Sequence, residues 1–144
     1  MSETSLQTTR VSARTPVAAV LGATAAAVAI WALATAAGAA LTVSFGPGQP
    51  IQKVTVVNVV VAALVGSLAG WGLLVLLRRF TANARAVWTV IAIVVALVSL
   101  GGPLSATASA GTKVALVAMH LTVATVTITV LRRTTTRSPD ATGK

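Results

Sequence analysis

His120 is the one side chain in the apolar part of this sequence that titrates near neutral pH. It lies in the uncharged stretch Val114 to Leu131, and an ionisable residue inside such a stretch is a functional-site candidate by default. Three chemistries suit it: carrying a proton, ligating a metal or haem, or bridging helices as a neutral hydrogen-bonding ring. A proton relay wants a second titratable group, yet the two acids, Glu3 and Asp140, sit in the polar ends of the chain. A metal site wants several ligands and a haem an axial histidine in a fitted pocket. With one histidine and no cysteine, a single copy of the chain cannot assemble a multi-ligand site, so no metal or cofactor is expected. Nucleophilic catalysis would fall to Ser67 or Ser99, with His120 as the only base in reach of either stretch. These shortages count against an enzyme, and no catalytic residue is expected. Bridging needs only a partner: a backbone carbonyl, a threonine, or Asn58, the other strongly polar residue of the uncharged stretches. His120 and Asn58 together form the candidate intramembrane polar site.

Charge spacing defines the elements that must carry these residues. Of 144 residues, 56% are apolar and 9% charged, and the mean hydropathy of +0.90 lies far outside the range of soluble domains. A formal charge of +9 would in isolation suggest a nucleic-acid partner. The positions of the charges exclude it, because they punctuate four long uncharged stretches and so report topology; no nucleic acid is expected. A hydrocarbon core about 30 Å thick needs about 20 apolar residues in a helix. The stretches 17–43, 54–77, 86–104 and 114–131 meet or approach that length, with residues 1–16 and 134–144 as flexible cytoplasmic tails around a transmembrane domain at 17–133. The first stretch follows arginines and ends in Ala-rich sequence, as a cleaved signal peptide would, but its length favours a retained span. Ser44 to Lys53 holds two prolines and two glycines and reads as a loop. Thr125 to Val130 alternates like a strand, but a lone strand in lipid would leave its backbone groups unpaired, whereas a helix pairs them internally. Threonine can also bond back to its own helix. The expected fold is therefore an all-α integral membrane four-helix bundle.

The positive-inside rule orients it. Arg10, Arg14, Arg78, Arg79, Arg85, Arg132, Arg133, Arg137 and Lys144 fall on one side and Lys53 and Lys113 on the other, nine against two, which predicts both termini inside. Trp71 and Trp88 flank the arginine loop and are read as interface anchors. On this placement His120 lies about 9 Å below the outer end of the last span, at a depth similar to that of Asn58. Helices in lipid associate through small residues and occasional hydrogen bonds. Asn58, Ala62, Gly66 and Gly70 recur every four residues, so Ala62, Gly66 and Gly70 form a helix-packing ridge, either against another helix of the chain or as a dimer face. Val43 to Pro47 with Lys53 and Arg78-Arg79 matches Val98 to Pro103 with Lys113 and Arg132-Arg133. Two repeated helical hairpins would give this pattern; so would chance convergence of topology signals.

Gly70-Trp71-Gly72 ahead of Arg78-Arg79, Ser99-Leu100-Gly101-Gly102-Pro103-Leu104, and Met119-His120-Leu121 together make the chain resemble a family of small actinobacterial four-span integral membrane proteins of unknown function. The resemblance covers roughly residues 17–133 and implies that Trp71, Pro103 and His120 occupy family motif positions. It brings no activity with it. The functional expectation is a non-enzymatic multi-pass protein of the bacterial cytoplasmic membrane. Its partners would be the bilayer, anionic headgroups near the cytoplasmic arginines, and other copies or an envelope complex. The alternative is a small transporter or channel for a hydrophobic or proton-linked solute, using His120.

Overall fold

A computed structural model describes residues 14–133. In chain order the elements are α1 (Arg14–Ala36), β1 (Thr42–Val43), β2 (Gln52–Lys53), α2 (Val56–Phe80), α3 (Ala84–Ser99), α4 (Gly101–Ser105) and α5 (Ala110–Arg133). The runs Pro16–Ala36, Val56–Phe80, Ala84–Ser105 and Ala110–Arg133 contain 21, 25, 22 and 24 residues, and each is long and apolar enough to cross a membrane. The fold is all-α with four such helices. Of the expected tails, 1–13 and 134–144 lie outside the described residues, while Arg14 to Pro16 open α1.

Local chemistry sets the ends of these helices. Pro16 is tolerated in the first turn of α1, where a backbone N–H has no intrahelical acceptor to lose. The uncharged stretch continues to Val43, but the helix stops at Ala36. Gly38 adopts φ +81°, and its N–H bonds the Thr35 carbonyl while the Ala39 N–H bonds the Ala34 carbonyl, both at 3.0 Å. This left-handed glycine cap closes the helix carbonyls seven residues before the expected end of the span at Val43. α2 opens on Thr55, whose side chain accepts from the Asn58 N–H. α5 opens on Ser109, whose Oγ accepts from the Thr112 N–H at 3.2 Å. Between α3 and α4 the cause of the break is Pro103, which lacks the N–H that would reach back to the Ser99 carbonyl. The strand-like run Thr125 to Val130 is helical. Thr24 and Thr89 bond back to their own helices in α1 and α3, at 2.9 and 2.8 Å, whereas Thr127 turns across to another helix.

The chain ends its helices in two layers of opposite character. At one end lie the start of α1, the last turn of α2 with Arg78 and Arg79, the start of α3 with Arg85, and the last turn of α5 with Arg132 and Arg133. At the other, β1 and β2 pair antiparallel, Thr42 opposite Lys53, and Ser44 exchanges both backbone hydrogen bonds with Thr107, at 3.0 and 2.8 Å. That exchange ties the two loops of this lysine end together. The two stretches that match in sequence differ in structure, since Val43 to Pro47 is strand and loop whereas Val98 to Pro103 is mostly helical.

α1 packs most extensively on α5 and next on α2, and α3 packs on α2 and α5, with α1 and α3 at opposite corners. Ala19, Ala23 and Ala27, each four residues apart, are the buried ridge of α1. Two apolar clusters result. Ala27, Leu41, Val59, Ala63, Ala115 and Met119 fill the half toward the lysine end; Ala19, Leu74, Trp88 and Leu131 fill the half toward the arginine end. Leu41 sits at φ +47°, a left-handed backbone costly for a branched side chain, and is nevertheless only 2% exposed. Burial of its side chain and the 2.7 Å bond from the Val54 N–H to its carbonyl offset that cost.

Candidate functional site

α3 is the loosely held helix. Its buried residues, Ala84 and Trp88, fall within its first five positions, and beyond Trp88 its residues are half-buried or exposed. A cavity of about 430 Å³ opens between α2, α3 and α5 as a consequence. α2 contributes Asn58, Ala62 and Gly66, α3 contributes Ala92, Ala96 and Ser99, and α5 contributes His120, Ala124 and Thr127. Each set recurs at three or four residues and therefore lies on one helix face. Nearly all these side chains are small, so the three faces leave space that larger residues would have filled. Trp88 is the floor. Its ring is buried between α3 and the others, and its indole N–H donates to the Gly70 carbonyl at 2.7 Å. Beside it the Ser67 and Thr127 hydroxyls meet at 3.3 Å, joining α2 to α5.

His120 lines this cavity and is half-buried. Nδ1 lies 2.8 Å from the Leu116 carbonyl of its own helix. A carbonyl only accepts, so Nδ1 is the donor, and in the uncharged ring Nε2 carries the lone pair. Among the described residues no group bonds Nε2, and it is not a sealed buried atom. His120 is thus a hydrogen-bond acceptor facing the cavity. α5 starts at Ala110 rather than Val114, so His120 is about 15 Å from the start of the helix, close to its middle.

Asn58 borders the same cavity near its mouth, in the first turn of α2. The two polar residues therefore share one space, but no hydrogen bond joins them among the described residues. The Asn58 carbonyl oxygen accepts from the Thr55 hydroxyl and its backbone N–H donates to Thr55 Oγ1 at 3.3 Å, so part of its polarity serves the helix cap. Ser99 Oγ donates to the Ala96 carbonyl at 2.7 Å. Both candidate nucleophiles, Ser67 and Ser99, thus have local hydrogen-bonded partners other than His120.

The structure adds detail to two expectations. Trp88, read as an interface anchor, is 1% exposed and joins α3 to α2 from inside the bundle. The flanking arginines suggested the headgroup layer, but the ring turns inward and its N–H meets the Gly70 carbonyl. Trp71 is half-buried against the cluster at the arginine end. The small-residue ridge of α2 is also divided. A Cβ on Gly70 would meet Thr127 at 3.6 Å and Trp88 at 3.9 Å, ordinary packing distances, whereas a Cβ on Gly66 would meet nothing within 4 Å. Gly70 packs against neighbouring helices; Ala62 and Gly66 face the cavity instead. The sequence carried a signal for the opposite wall, because Ala92 and Ala96 follow Trp88 at four-residue steps. Trp31 was passed over as well, and its indole N–H donates to the Val54 carbonyl at 2.9 Å, fixing α1 to the lead-in of α2.

A family of unknown function (DUF6069) matches residues 7–137. The chain belongs to this family. The match takes in all four long helices and every residue of the cavity wall, in keeping with the family of unassigned function that the short motifs suggested. No curated protein and no solved structure matches the chain. Membership therefore carries no activity, and the meaning of the cavity rests on its geometry.

Proposed function

We propose that this DUF6069 member is a non-enzymatic multi-pass protein of the bacterial cytoplasmic membrane. In this reading both termini are cytoplasmic and an apolar molecule is taken from the lipid into the α2–α3–α5 cleft. The observation that carries the proposal is the cavity itself. Its size falls within the usual 300–1,000 Å³ of ligand pockets, its walls are apolar, and a few polar groups converge on it. Orientation rests on the sidedness of the arginines. Arg85 supports it in a specific way: it occupies the second position of α3, where the positive end of the helix dipole disfavours a cation, so helix stability does not explain it. Attraction to anionic cytoplasmic headgroups does.

Filling the space tests the proposal. Gly66→Leu and Ala96→Leu place side chains into the cleft without opposing backbone at Gly66. Vesicles holding wild-type protein are irradiated with a long-chain alkyl diazirine, and the labelled residues are mapped. Labelling of the α2, α3 and α5 cavity faces in wild type, lost in both filled variants that retain their thermal stability, is expected. Equal labelling of filled and open protein would remove the proposal.

Association through the same face is the second reading, favoured by Ala62 and Gly66 being exposed, with nothing within 4 Å of an added Cβ at Gly66. A homo-oligomer or an envelope complex would then place a foreign helix in the cleft. Crosslinking in native membranes distinguishes the two, since a cleft occupied by lipid leaves an isolated monomer.

A further inference from the structure

The cavity is polar at one end and apolar at the other, and this asymmetry specifies more than an apolar occupant. Asn58 and Ser99 lie toward the lysine end of α2 and α3, and His120 faces the space below them. From His120 to Ile128 the wall of α5 descends about 12 Å, along Ala124 and Thr127, to the indole of Trp88. Along that descent the Thr127 hydroxyl is engaged by Ser67 and the Trp88 N–H by Gly70. Among the described residues, the polar side-chain atom bordering the deeper half that makes no hydrogen bond at all is therefore Nε2 of His120, at its upper edge. None of the lining residues is charged. Lys113, the nearest cation in sequence, directs Nζ to the Leu104 carbonyl at 3.2 Å.

We propose that His120 Nε2 receives the head of a bound amphiphile, and that this molecule is an uncharged lipid carrying a hydroxyl, in the manner of a long-chain alcohol. The inference rests on the cleft being a lipid-binding site. An acceptor selects a donor: the hydroxyl gives its hydrogen to Nε2, and the tail occupies the small-residue channel above Trp88. A carboxylate or phosphate head would enter this low-dielectric space with no lysine or arginine in its lining to meet it, at a large desolvation cost, and a carboxylic acid would first have to take up a proton. An ether of the same length fits the space but has no hydrogen to donate, and leaves Nε2 unmatched.

Three photoreactive probes of equal chain length separate these statements: a hexadecanol-type alcohol, its methyl ether and the corresponding fatty acid, each in vesicles of phosphatidylethanolamine and phosphatidylglycerol. In wild type the alcohol is expected to label the cavity faces about three- to tenfold more strongly than the ether, the range one hydrogen bond supplies. The fatty acid is expected to label least. His120→Leu should abolish the preference while keeping ether labelling, which shows an intact cleft, and His120→Gln, which restores an acceptor, should recover part of it. Equal labelling by alcohol and ether in wild type overturns the role of His120 and leaves the cleft reading standing. So does an alcohol preference that survives His120→Leu, or a preference for the fatty acid. Absence of cavity labelling by all three probes overturns the cleft reading together with this one.

Discussion

Two indoles illustrate how a single residue changes meaning between sequence and structure. Trp71 and Trp88 stand on either side of the same arginines, yet Trp71 is half-buried and Trp88 is enclosed, with its N–H on a carbonyl of another helix. Interhelical hydrogen bonds in membrane proteins contribute about 0.6 kcal/mol on average and up to about 1.7. Trp88→Phe should therefore lower stability by about 1–2 kcal/mol, the lost bond plus the space vacated by the smaller ring, and Trp88→Ala by about 3–5 kcal/mol. Trp71→Phe should cost well under half of the first figure. Equilibrium unfolding in mixed micelles measures all three, and parity between Trp71→Phe and Trp88→Phe would show that the buried bond contributes nothing.

Among elements, the glycines separate backbone demand from packing. Gly38 ends α1 at φ +81° with nothing within 4 Å of an added Cβ, so its requirement is purely conformational. Gly66 lies within α2 and is equally open, but at a helical φ. The same substitution should act with opposite signs. Gly38→Ala is expected to destabilise by about 1–2 kcal/mol through the left-handed backbone, and Gly66→Ala to stabilise by about 1 kcal/mol through helix propensity. A Gly66→Ala variant less stable than wild type would mean that a neighbouring helix occupies the face described as open.

For the whole molecule, the decisive quantity is sidedness. The chain has no cysteine, so single-cysteine labelling has a clean background. Ala82 lies between α2 and α3 at the arginine end, and Ala108 between α4 and α5 at the lysine end. A membrane-impermeant maleimide applied to intact cells should label Ala108→Cys and spare Ala82→Cys until the cells are opened. The reverse pattern would invert the orientation, and labelling of both from outside would break the four-span topology.

Composition and charge spacing by themselves determined the number of long apolar helices, their order and the division of basic residues between two ends. These depend on hydrocarbon thickness and on the cost of unpaired backbone groups, which act along one segment at a time. They also singled out His120 and Asn58 as the polar pair of interest. Only the tertiary structure decided that both border one cavity, that Trp88 closes its floor, and that the ridge of α2 packs at Gly70 but faces open space at Ala62 and Gly66. The physical reason is the composition of the helices. A helix that is apolar all round carries no pattern that says which face meets another helix, and Ala-rich helices such as α1 offer similar surfaces on every side. Which faces touch is settled by the few bulky or hydrogen-bonding groups that bracket them, here Trp88 at one end and the Ser44–Thr107 pairing at the other.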